Sequence, residues 1–192
     1  MTTTTDALEV DRGDTSVTRL VTDTLPDADD LPDGQVRMRV DRLAITANTV
    51  TYAEMGDMLG YWDFYPTGDD TWGRVPAMGW ADVTASAHPD VEAGGRYYGW
   101  FPVVGTVDLS VTPTRHGLRD DGEHRRAHAP VYRTFEDSRS DPLAPTGFVD
   151  AEELGDLEDR QALLRGLFLT GFLADAFFEH NDWFGARRAV VL

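Results

Sequence analysis

Gln35-Val36-Arg37-Met38-Arg39-Val40-Asp41 alternates strictly between polar and apolar side chains. Val36, Met38 and Val40 fall on one face, the period of a strand with one side buried. Beyond Asp41 the apolar positions become Leu43 and Ile45, so the phase slips by one residue. A β-bulge or the end of the strand produces such a slip. The two-residue period returns in residues 81–87, around Asp82, Thr84 and Ser86, and in residues 106–112, where Val107, Leu109 and Val111 share a face. Residues 17–24 and 96–101 are rich in β-branched or aromatic side chains and read as further strands. Short strands separated by Gly and Pro predict a β-barrel or a sandwich.

The rest of the chain is arranged around these strands. Residues 1–15 read as a flexible N-terminus, and residues 27–33 (DADDLPD) as a short acidic loop. Residues 53–59 are a short helical piece or a loop, followed by the aromatic run Tyr61, Trp62, Phe64 and Tyr65. Residues 114–146 are polar and irregular, and predict a long loop with one helical turn near Tyr132. From residue 157 the character changes. Leu163, Leu164, Leu167, Phe168, Phe172, Leu173, Phe177 and Phe178 surround a helix on most sides, the pattern of a buried helix. After Gly185 the run Ala189-Val190-Val191-Leu192 reads as the first strand of a parallel sheet, which is buried on both faces.

Composition limits the function classes. The 192 residues carry a formal charge of −17, with 25 Asp and 9 Glu against 17 Arg and no Lys. Duplex nucleic acid and anionic membranes both need basic residues, so neither fits as a partner. A dense Asp surface without Lys is expected of a halophilic protein, because salt screens its self-repulsion. There is no Cys, which excludes disulfides and thiolate-bound zinc. Residues 1–6 have no basic or apolar signal region. The most apolar stretch, residues 163–178, contains Arg165 and Asp175 and is shorter than the ~20 residues of a membrane span. The expected setting is the cytoplasm.

Several motifs together carry a resemblance. Residues 36–45 run as a strand into Asn48, and Val75-Pro76-Ala77-Met78-Gly79-Trp80-Ala81-Asp82-Val83 has a Pro-x-x-Gly-x-x-x-Val form. Glu92-Ala93-Gly94-Gly95-Arg96-Tyr97-Tyr98-Gly99 and Leu167-Phe168-Leu169-Thr170-Gly171-Phe172 follow. These resemble the N-terminal half of medium-chain dehydrogenase/reductases, from about residue 36 onward. Gly95 and Tyr97 depart from that family's usual acid and Val. Asn48-Thr49-Val50-Thr51-Tyr52-Ala53, Leu59-Gly60-Tyr61-Trp62-Asp63-Phe64 and Asn181-Asp182-Trp183-Phe184-Gly185-Ala186 are similar to an uncharacterised subfamily akin to the zinc-free quinone oxidoreductases.

The resemblance implies a chaperonin-10-like (GroES-like) barrel over residues 16–156, with residues 114–146 as its long loop. It implies that residues 157–192 are the linking helix and first strand of a truncated Rossmann domain. No Gly-rich dinucleotide turn occurs in the sequence. The chain is thus expected to be the substrate-binding half of a zinc-independent NAD(P)H-dependent quinone or enone reductase, incomplete alone. A second chain supplying a Rossmann half, or a homo-oligomer, would complete it. The other readings are an inactive relic and a binding module that reuses the barrel.

Each candidate site residue has a functional and a plain reading. Asn48 would contact nicotinamide or a substrate carbonyl, or simply form a turn. Tyr52 would be the catalytic proton donor, or a rim tyrosine with one wet end. Tyr61 and Trp62 would line a pocket for a flat substrate, or pack in the core. Thr170 would face the cofactor, or bond back to the Gly166 carbonyl. Glu123, His124 and His128 have a spacing that would place two imidazoles on one helix face, but their polar surroundings and lack of a third ligand read as a solvated loop. No metal is expected.

Overall fold

The computed structural model describes residues 3–145, 149–188 and 190. Strands β1 (Thr3–Asp11), β2 (Thr18–Leu25) and β3 (Gln35–Ala44) come first. Two short helices follow, α1 (Ala47–Glu54) and α2 (Gly56–Leu59). Next are β4 (Trp72–Gly73), β5 (Pro76–Ser86), β6 (Arg96–Pro102), β7 (Thr106–Thr114) and β8 (Gly117–Asp120). A helical turn, α3 (Pro130–Arg133), leads into β9 (Thr134–Asp137), and the long helix α4 (Ala151–His180) follows.

Six of the strands close a barrel in the order β3-β5-β6-β9-β8-β7, and β2-β1-β4 form a separate sheet. The open choice between barrel and sandwich is therefore settled as a barrel. The phase slip after Asp41 is a bulge: the β3–β5 register shifts between Val40 and Arg42 while the strand runs on to Ala44. Val36, Met38, Val83, Phe101, Leu109, Leu118 and Phe135 fill the interior.

Three expectations need correction. The N-terminus is not loose, because β1 pairs antiparallel with β2 over eight residues. Its Glu9 is buried and bonds to Arg19 and Arg74. The segment 114–146 is not one long loop, because β8 and β9 lie in it and complete the barrel wall. They approach closely at Gly117, whose φ is 154° and where a Cβ would stand 2.0 Å from the Phe135 carbonyl oxygen. Only glycine fits there.

The third correction concerns α4. Asp150 caps its N-terminus by accepting hydrogen bonds from the Glu152 and Glu153 amides, at 3.0 and 2.9 Å, so it starts earlier than expected. Gly155, Glu158, Gln161 and Ala162 are buried against the barrel. The outer half is not buried: Leu167, Phe168, Phe172 and Phe177 are 57, 71, 68 and 57% exposed. The helix is apolar on most sides, and the described chain covers only its first turns. At 30 residues it is, by length and composition alone, long and apolar enough to cross a membrane. Of the run expected to open a parallel sheet, residues 189, 191 and 192 lie outside the described residues.

This distribution of burial sets the cost of core substitutions. Phe135→Ala should destabilise the chain by about 3–5 kcal/mol in urea unfolding. Phe172→Ala should change it by no more than about 0.5 kcal/mol. Equal losses would mean that the outer half of α4 is packed.

Candidate functional site

A cavity of about 280 Å³ lies between the barrel wall and α4. Its floor is Ala77 and Met78 of β5 and Trp100 of β6. One side is the β3–α1 corner with Thr46, Asn48, Thr49 and Tyr52, and another is Val131 and Tyr132 of α3. Ala162, Gly166 and Thr170 of α4 close it at four-residue steps along one side of the helix.

Local sequence sets each wall. Helix α1 begins at Ala47, earlier than the helical piece expected at residues 53–59. Thr46 caps it, its hydroxyl accepting from the Asn48 amide at 3.2 Å while its own amide donates to the Thr49 hydroxyl at 3.1 Å. That start puts Asn48 and Tyr52 one turn apart on one face. Asn48 is exposed and Tyr52 half-buried. The Tyr52 ring packs on Tyr61 and Trp100, with centroids 4.8 and 5.2 Å away. Burial, and to a smaller extent the neighbouring Tyr132, push its phenol up to about 12. It therefore stays protonated, and a donor, through the physiological range.

Three of the expected residues, Asn48, Tyr52 and Thr170, meet in this cavity from two distant segments. Thr170 keeps its plain role as well, since its hydroxyl donates to the Gly166 carbonyl at 2.9 Å. The two expected pocket aromatics are placed elsewhere. Tyr61 is buried behind the wall, its hydroxyl 3.2 Å from that of Tyr132. Trp62 packs with Val10, Ala53 and Val75, in a slot that Gly56 and Gly73 leave open. A Cβ on either glycine would stand 2.2 Å from its ring. Trp62 therefore ties the aromatic run to β1 and does not line the cavity.

Tyr132 and Trp100 were not singled out by sequence. Trp100 lies in a strand that reads simply as aromatic. Tyr132 lies in the polar segment, where a ring flanked by Val131 and Arg133 is the one local hint. The Glu123–His128 segment is also less solvated than expected. Arg125 is fully buried, with its guanidinium 3.2 Å from Asp120 and over the rings of Phe64 and Tyr65. It donates to the backbone carbonyls of Phe64 and Tyr132. His128 packs against Phe64 at a tilt, with centroids 4.3 Å apart, and burial lowers its pKa. Among the described residues no three His, Cys, Asp or Glu side chains form a metal-binding group.

The cavity wall holds no charged side chain. It presents a phenol pair, an amide and three threonines against apolar surface, which suits a neutral, flat molecule carrying a hydrogen-bond acceptor. One consequence is measurable without a ligand. The unfolded chain ionises Tyr52 at the ordinary value of 10, and the folded chain only at about 12. Stability therefore falls as pH rises through that window. Tyr61, Tyr65, Tyr97 and Tyr98 are raised by burial as well, so Tyr52→Phe should reduce, and not abolish, the loss in urea unfolding between pH 10 and 12; an unchanged slope would place the phenol in water.

No curated protein matches this chain. A family model described as "Protein of unknown function (DUF2855)" matches residues 43–192, more than three-quarters of the chain. Every residue of the cavity wall lies inside that match, whereas β1 and β2 lie outside it. The chain belongs to the DUF2855 family.

Proposed function

We propose that this chain is the substrate-binding part of a zinc-independent NAD(P)H-dependent oxidoreductase acting on a quinone or enone, built on a GroES-like barrel. One observation carries the reading. Asn48 and Tyr52 belong to one motif and Thr170 to another, both similar to motifs of such enzymes, and the three line one cavity. Its uncharged wall and protonated phenol suit a neutral carbonyl compound.

The residues present do not fit a whole dinucleotide. A pyrophosphate needs backbone N–H groups at a helix N-terminus or basic side chains. The cavity wall has no Arg, and among the described residues no Gly-rich turn joins a strand to a following helix. No part of the chemistry on the cofactor therefore falls to this chain. Its own part is to bind the substrate, exclude water with Trp100 and the α4 side chains, and offer a phenolic proton to the carbonyl oxygen. The dinucleotide would be held by a Rossmann-type domain seated on the bare face of α4. We place the protein in the cytoplasm of a halophile. A charge of −17 disfavours an anionic membrane as the cover for α4.

A non-catalytic binding module is the second reading. The observation favouring it is Thr170, whose hydroxyl already bonds to Gly166. The two readings separate in one assay. The protein purified from its own cells in molar salt should oxidise NADPH when 1,4-naphthoquinone is added, with loss of absorbance at the nicotinamide band. The recombinant chain alone should bind the quinone without turnover. Quinone binding with no NADPH oxidation in either preparation would leave the binding module and overturn the reductase.

A further inference from the structure

The cavity has two phenols on its wall, Tyr52 and Tyr132, and they are held differently. Tyr132 is fixed at both ends. Its ring sits among Trp100, Phe64 and Tyr61, with centroids 5.2, 5.2 and 5.7 Å away. Its backbone carbonyl accepts a hydrogen bond from the fully buried Arg125. Such a side chain has little rotamer freedom left to lose when a ligand binds.

Its hydroxyl also has a partner behind the wall. Tyr61 is 8% exposed and does not line the cavity, and its oxygen lies 3.2 Å from that of Tyr132. A buried phenol costs free energy unless its hydrogen is bonded. The contact fits either hydroxyl as donor, and the arrangement that satisfies the more buried phenol is Tyr61 donating to the Tyr132 oxygen. Each phenol has one hydrogen, so that of Tyr132 is left to point into the cavity. A hydroxyl whose oxygen accepts a bond is a stronger donor.

We propose that Tyr132 is the hydrogen-bond donor that fixes the carbonyl oxygen of an uncharged ligand in this cavity, and that Tyr61 is its positioning residue. The inference rests on reading the cavity as the substrate site. It assigns the donor role to Tyr132 ahead of Tyr52, and the ligand class to neutral cyclic ketones and quinones. Carboxylates and phosphates are disfavoured by the uncharged wall and by the field of a chain of charge −17.

The test compares 1,4-naphthoquinone with naphthalene, a ring of the same shape that accepts no hydrogen bond. With no Cys and no Lys, the chain offers few nucleophiles to the quinone. Dissociation constants are measured by equilibrium dialysis on the full chain in molar salt. Tyr132→Phe should weaken naphthoquinone about tenfold, the loss of one hydrogen bond, and leave naphthalene within about twofold. Tyr61→Phe should give the same pattern at about threefold, because it removes only the orienting bond. A merely structural role for Tyr61 would weaken both probes alike. A quinone-specific loss in Tyr52→Phe alone, or equal effects on both probes in Tyr132→Phe, would overturn the assignment while leaving the cavity as a binding site. Binding of neither probe by the unmodified chain would overturn the site reading itself.

Discussion

The Arg96–Glu158 pair determines where the candidate site lies. Glu158 is buried and accepts two hydrogen bonds of 2.6 Å from Arg96 at the start of β6. Its backbone carbonyl accepts a third, of 3.1 Å, from the Trp80 indole in β5. Two neighbouring barrel strands thus grip one turn of α4. Desolvating a carboxylate costs several kcal/mol, so the contact persists because its geometry is fully used. Asp82 and Asp41 accept one further hydrogen bond each from Arg96, at 2.8 and 2.7 Å. Ala162, Gly166 and Thr170 follow Glu158 at four-residue steps, and their positions over the barrel wall depend on this grip.

Much of the barrel was legible because its longer strands alternate. Val36, Met38, Leu109 and Val111 show a period that only a half-buried strand explains. β8 and β9 were not legible, since each has four residues with one fully buried apolar side chain, Leu118 or Phe135, among arginines and acids. Their pairing comes from strands far away in sequence. β1 was hidden by a Thr-rich start whose alternation breaks at the buried Glu9. The helix α4 was legible as a helix and misread as buried. Periodicity reports which faces are apolar and says nothing of whether a neighbour is present.

The site was partly legible for a similar reason. Asn48 and Tyr52 lie one turn apart once α1 starts at Ala47, and the Thr46 cap that sets this start is a weak local signal. Thr170 joins them across more than a hundred residues, which no local pattern specifies. Tyr61 and Trp62 show the limit of composition. Adjacent aromatics point in different directions, one toward the phenol pair and one into a slot beside β1.

The unevenness of α4 connects the fold to the proposed function. Its first half is held by ion pairs, hydrogen bonds and the barrel wall. Its second half presents leucine and phenylalanine to solvent, which a helix apolar all round tolerates only when something surrounds it. The cavity sits where these halves meet. It offers shape, apolar surface and phenols, and no group that would hold a phosphate. Substrate on the barrel side and cofactor on the uncovered side is the division of labour that follows from our proposal.

A crystal structure of the full chain soaked with 1,4-naphthoquinone in molar salt tests this account most directly. We predict the quinone ring between Trp100 and α4, with one carbonyl oxygen in hydrogen-bond reach of the Tyr132 hydroxyl. A quinone bound only on the outer apolar face of α4, with the cavity filled by its own side chains, would contradict it.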